Sequence, residues 1–147
     1  MRVTITDITA DRIAVSARYN VLMTERAREL EGKWQEKWIF DKSKEGAVRA
    51  ALDEIYLLPT KQYISIKVTA KSTLSSELSM VCFHGFPVAK KVVGIKVPIT
   101  CPGVKKLGGK MYFSGSKVMV EKGCAFVLHD MSSKWLEVGA PRPTGPY

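Results

Sequence analysis

The sequence predicts an α+β chain: a small N-terminal strand-helix-strand-helix unit over residues 1–60, packed on a C-terminal antiparallel β-barrel or sandwich over 61–138, with a Pro-rich extended tail over 139–147. Three observations carry that prediction. Apolar residues recur at helical spacing only before Pro59. After it they alternate with polar residues in short runs divided by turn residues. The charge changes at the same place: residues 1–60 hold ten basic and ten acidic side chains, whereas 61–147 hold thirteen basic and four acidic ones and carry the whole net charge of +9.

The N-terminal elements follow in order. Val3 and Ile5 alternate with polar neighbours, as do Ile13, Val15 and Ala17, giving two short strands. Asn20 or Thr24 can cap a helix whose apolar face is Met23, Ala27 and Leu30, and Gly32 can stop it. Residues 34–40 read as a strand with Trp34, Trp38 and Phe40 on one side. Asp41 or Ser43 caps a second helix with an apolar stripe of Ala47, Val48, Ala51, Leu52 and Ile55, ended by Pro59.

In the C-terminal part Ile64, Ile66, Val68 and Ala70 alternate with Tyr63, Ser65, Lys67 and Thr69. Further strands are expected over 78–83, 92–99, 110–113, 117–121, 124–129 and 134–138. Turns are expected at Ser114-Gly115-Ser116 and Lys122-Gly123, with a long loop over 100–109. Six or seven short strands without a helix are the pattern of a small barrel or sandwich.

Composition excludes several classes. With 147 residues, 46% hydrophobic and 25% charged, the chain has globular proportions rather than those of a disordered one. No apolar run approaches the roughly 20 residues that span a bilayer, and the first residues form no continuous apolar segment of a secretory signal. Neither a membrane partner nor secretion is expected. Three widely spaced cysteines, Cys82, Cys101 and Cys124, point to reduced thiols and a cytoplasmic setting.

The charge asymmetry points to a polyanion partner, for which nucleic acid is the common case. Lys90, Lys91, Lys96, Lys105, Lys106, Lys110, Lys117 and Lys122 fall in one 33-residue span whose single acid is Glu121. With Lys67 and the aromatic Tyr112 they are the candidate nucleic-acid-binding residues. Lysine outnumbers arginine twelve to one in this half. A lysine is a point-charge phosphate contact and a poor bidentate reader of bases, which favours backbone recognition over sequence readout. Phe83, Phe86 and Phe113 are interleaved with these lysines and could stack on single strands, although Phe83 and one of Tyr112 and Phe113 are expected in the core.

A second candidate surface is Arg18, Lys33, Trp34, Lys37 and Trp38. The two tryptophans either pack the small core or expose one indole to a base or a partner. Around them residues 11–57 run strand, Arg18-Tyr19-Asn20, helix with Leu30-Glu-Gly-Lys-Trp34, then Trp38-Ile-Phe40, then a helix ending Leu52-Asp-Glu-Ile-Tyr56. This third of the chain resembles the HARP-type module of annealing helicases and its short plasmid- and phage-borne relatives. The resemblance implies binding of forked or single-to-double-strand DNA, and it is the reason DNA is favoured over RNA.

No catalytic residue, metal or cofactor is expected. Cys82, His84, Cys124 and His129 match no usual zinc spacing. The segment 103–110 lacks the P-loop pattern and leads to a strand. The reading is therefore a non-enzymatic protein that holds the phosphate backbone of nucleic acid. The alternative is a structural or adaptor protein, such as a virion component, docking through the Trp strand or the Pro-rich tail. Unpaired strand edges would allow a homo-oligomer.

Overall fold

The computed structural model describes residues 2–77 and 79–145. The chain is α+β and divides into two compact units, residues 1–60 and 61–147. Among the described residues no helix is long and apolar enough to cross a membrane.

The first unit begins with strands β1 (Thr4–Thr9) and β2 (Arg12–Ser16), then helix α1 (Val21–Glu29). Asn20 is the cap. Its backbone is extended, and its side-chain oxygen accepts from the amides of Leu22 (2.8 Å) and Met23 (3.3 Å). This satisfies two of the four amides that a helix start leaves open. The helix ends in a Schellman turn. Glu31 takes the left-handed position (φ 60°) and donates to the Arg28 carbonyl, while Gly32 donates to that of Ala27. Gly32 is thus not the left-handed stop. It is small for another reason: a Cβ there would lie 2.5 Å from a ring carbon of Phe40.

The expected single strand over 34–40 is instead a hairpin, β3 (Lys33–Trp34) and β4 (Trp38–Asp41), turning at Glu36 (φ 65°). Cross-strand pairing of Trp34 with Trp38 still puts both indoles on one face. A 3-10 turn (Lys42–Lys44) leads into α2 (Glu45–Tyr56). Neither Asp41 nor Ser43 gives the expected side-chain cap, because the 3-10 turn moves the α-helical start to Lys44. The sheet order is β1-β2-β4-β3. Ile13, Val15 and Phe40 on one face join Met23, Ala27, Val48, Ala51, Leu52 and Ile55 from the helices as the buried core.

The second unit carries β5 (Tyr63–Thr69), β6 (Leu74–Ser76), β7 (Met80–Phe83), β8 (Phe86–Lys90), β9 (Ile99–Thr100), β10 (Val104–Gly108), β11 (Met111–Ser114), β12 (Lys117–Val120), β13 (Ala125–Ser132), helix α3 (Trp135–Val138) and β14 (Pro143–Thr144). The described strands form three open antiparallel sheets, ordered β10-β13-β5, β11-β12-β6 and β14-β7-β8-β9, and none closes into a barrel.

Several expectations change here. The alternation of Val93, Ile95, Val97 and Ile99 predicts a strand over 92–99. Only Ile99–Thr100 pairs; Gly94 is left-handed (φ 84°) and Pro98 has no N–H to give a ladder. Val93 consequently stands 95% exposed. The expected strand over 134–138 is a helical turn, with Leu136 and Glu137 donating back to Ser133 and Lys134. Alternation is lost, so Trp135 is buried while Leu136 and Val138 are exposed. The loop over 100–109 contains β10, and the tail pairs as β14 against Cys82 and Phe83. Leu78, the expected start of β7, and Pro146 and Tyr147 of the tail lie outside the described residues.

Two glycines test this packing. Gly32→Ala should cost about 1–3 kcal/mol, the usual range for overpacking a core. Gly109→Ala should cost more. Gly109 is left-handed (φ 97°), and a Cβ would lie 2.4 Å from the Cα of Cys124, which cannot rotate away. Urea unfolding should show both as lowered midpoints with an unchanged slope.

Candidate nucleic-acid interface

The lysine surface is built by register. In the sheet β10-β13-β5, Phe126 stands between Lys106 and Val68, while Val127 stands between Lys105 and Lys67. Phe126 and Val68 are buried, so the Lys105-Val127-Lys67 row faces solvent. Adjacent strands are about 4.8 Å apart, so the two lysines sit about 10 Å from one another at the backbone, with an apolar side chain between them. The same sheet carries Ser65, whose hydroxyl lies 2.8 Å from Nδ1 of the exposed His129.

A second basic group forms where several turns are tied together. Glu121 donates to the carbonyl of Lys110, Gly123 to that of Ala70, and Lys122 to the hydroxyl of Thr73. Lys110, Lys122 and Lys71 therefore emerge from one knot of backbone bonds that also holds Glu121. The charge of Lys106 is felt at neighbouring Cys124. Lys71 is not among the expected residues: it lies 39 residues from Lys110 in sequence, and the backbone bond from Gly123 to Ala70 brings its segment to the same place.

The remaining candidates are elsewhere. Lys90 ends β8 in the sheet β14-β7-β8-β9, and Lys91 and Lys96 lie in the non-strand segment between β8 and β9. Lys117 forms an ion pair with Glu77 at 3.6 Å. Sequence distance hid that acid, which lies just beyond β6, the neighbour of β12. Tyr112 is 39% exposed on the outer side of its sheet, opposite Met119, while Phe113 turns toward Val118. Phe83 and Phe86 are both buried, so neither is a stacking platform.

The first unit has a cleft of about 110 Å³ lined by Arg18, Tyr19, Trp34, Glu36, Trp38 and Tyr56. Trp34 is 63% exposed. Its ring meets Trp38 edge-on (5.5 Å, 66°), and Trp38 stacks on Phe40 (6.4 Å, 29°). Lys33 pairs with Ile39 on the opposite face and is not a neighbour of the indoles. Lys37 sits in the turn, its carbonyl accepting from Gln35. The Tyr56 hydroxyl donates to the Arg18 carbonyl at 2.5 Å. Burial pushes its pKa up despite the opposing charge of Arg18, so it stays a donor across the physiological range. Tyr19 and Glu36 lacked a sequence signal, because only the hairpin brings Glu36 back to the aromatic rings.

A third feature is a hydroxyl-rich cleft of about 260 Å³ bounded by β6, β7 and β14, with Thr73, Ser75, Ser76 and Thr144 in its lining and no charged side chain. Cys82 has Cys101 as a neighbour, whereas Cys124 and His129 belong to the β10-β13-β5 side of the unit. His84 (φ 47°) and Gly85 form the β7–β8 turn, with the imidazole 4.9 Å from the Trp135 ring. Cys82, Cys101 and Cys124 are free thiols and buried. Among the described residues no group of three or more His, Cys, Asp or Glu side chains is placed to hold a metal. No family model, curated protein or solved structure matches the chain.

The thiols give a direct test. Burial, with the neighbouring Cys101, pushes the Cys82 thiol up to about 12, and burial also raises that of Cys124. A raised pKa keeps the thiol neutral at pH 8, and only the thiolate attacks a disulfide reagent. Ellman's reagent should therefore react slowly with the native protein and release all three thiols once guanidinium unfolds it. Rapid native reaction would show an accessible thiolate.

Proposed function

We propose that this is a non-enzymatic nucleic-acid-binding protein that holds the phosphate backbone through its second unit. The solvent-facing Lys105-Val127-Lys67 row is the observation that carries this reading. Two cations on a rigid sheet, with the basic group of Lys71, Lys110 and Lys122 in the same unit, suit a string of phosphates rather than one small anion. Each neutralised phosphate releases a counterion, which is the main source of sequence-independent affinity. Lysine in place of arginine supports recognition of shape rather than base sequence. The HARP-like pattern of residues 11–57 supports DNA as the target. A cytoplasmic location is part of the same proposal, in keeping with three free thiols.

The exposed apolar turn with Val93, Ile95 and Val97 supports a second reading, an adaptor or structural protein that docks on a larger assembly. Salt separates the two: a complex held by apolar contact survives high salt, and one held by phosphates does not.

Affinity for a short DNA duplex should fall steeply with salt. The double substitution Lys67→Glu with Lys105→Glu should weaken binding about tenfold or more and flatten the log–log salt slope by about 2, one unit for each phosphate no longer neutralised. Lys117→Ala should change affinity less than about twofold, because the Glu77 carboxylate beside it repels a phosphate that Lys117 would attract. A flat salt dependence, or no binding to DNA or RNA at low salt, would remove the proposal.

A further inference from the structure

We propose that the Trp34–Trp38 cleft of the first unit receives one unpaired nucleotide of the bound strand, its base stacked on the Trp34 indole. This rests on the nucleic-acid reading above but names a different site and a different physical interaction.

The exposure of Trp34 asks for an occupant. An indole 63% in water adds little to a core that Phe40, Ile13 and Val15 already fill. The ring is nonetheless held in place. The turn at Glu36 sets the hairpin, Trp38 meets Trp34 edge-on, and Trp38 is itself supported by Phe40, whose ring sits against Gly32. An edge-on neighbour braces the indole while leaving a ring face open. Such a braced aromatic loses little entropy when a flat ligand stacks on it.

The charges around the cleft select the ligand. Arg18 and Glu36 line it and offset one another. Asn20, at the start of α1, also lines it, and the first turn of that helix holds no acid. The positive end of the helix dipole therefore adds to the Arg18 side. A permanent organic cation, which aromatic clefts also attract, would meet both. A nucleotide meets neither difficulty. Its uncharged base lies on the indole, its phosphate is drawn toward Arg18 and the helix start, and the Glu36 carboxylate can accept from an exocyclic amine. Inside a duplex the base faces are already stacked, so the cleft distinguishes single strands from double strands without reading sequence.

The experiment is a fluorescence titration of the full chain with oligo-deoxycytidine and, separately, with a blunt DNA duplex. Trp34 is the exposed indole, whereas Trp135 is buried. The expected result is quenching by the single strand. Trp34→Ala should remove most of it and weaken single-strand binding about fivefold or more, in the range of a single base–aromatic stack. Trp34→Phe should fall between, which guards against a folding artefact. Neither variant should move duplex affinity more than about twofold. If Trp34→Ala leaves single-strand binding intact while Lys67→Glu with Lys105→Glu abolishes it, the cleft proposal is overturned and the phosphate-binding reading stands. If wild-type protein binds neither nucleic acid, both are overturned. Quenching by choline but not by the oligonucleotide would assign the cleft to a cation and overturn the nucleotide.

Discussion

Two adjacent strands of the second unit, β5 and β13, must keep Ile66, Val68, Phe126 and Leu128 turned inward, and most of what lies outside them follows from that. Side chains alternate with a period of two, so a slip of one residue would bury Lys67 and expose the whole apolar set. Burying an unpaired ammonium is far costlier than any gain from a shifted ladder. The core thus fixes the register, and the register sets Lys67 and Lys105 on either side of Val127. A bulge preserves the arrangement where β13 runs on toward the apolar Met131. His129 and Asp130 both stay exposed, with Asp130 left-handed at φ 58°, and Met131 returns to the inside.

The first unit applies the same constraint on a smaller scale. Phe40 needs the space that a glycine at position 32 leaves, and the Schellman turn at the end of α1 delivers Gly32 to that spot. Once Phe40 is seated, the strand direction puts Trp38 above it and pairing puts Trp34 opposite Trp38. The exposed indole is the far end of a packing chain that begins in the core.

What could be read from the sequence divides along this line. Where one residue type suffices for a physical role, the reading succeeds: Asn20, one of two residues offered as cap, the alternation of β5, and the α2 stripe at Val48, Ala51, Leu52 and Ile55, although Ala47 of that stripe is exposed and Tyr56 is buried in addition. Where the decisive partner is distant in sequence, it fails. Glu77 beside Lys117 and Lys71 near Lys110 and Lys122 are products of pairing between distant segments, whereas Glu36, two residues from Trp34, reaches the rings only because the chain turns there. Segment 92–99 fails differently. Its alternating valines and isoleucines satisfy the period of a strand, but Gly94 and Pro98 remove the backbone geometry and the donor that a ladder requires. Two-residue strands such as β9 and β14 carry too few residues for any period to show.

The two proposed sites differ in the physics they would contribute, and that difference gives meaning to the uneven charge. Residues 1–60 carry equal numbers of basic and acidic side chains, so attraction over a Debye length must come from the other unit. A lysine surface supplies long-range, salt-sensitive attraction with little discrimination among strands. A braced indole acts only at contact, is nearly indifferent to salt, and discriminates by whether a base face is open. Placing both in one chain lets affinity and selectivity vary separately. Within the cleft Arg18 and Glu36 offset one another, so charge there would orient a nucleotide rather than set the affinity of the whole chain. An electrically neutral first unit is therefore compatible with selection of unpaired nucleotides by stacking, which acts through contact rather than through net charge.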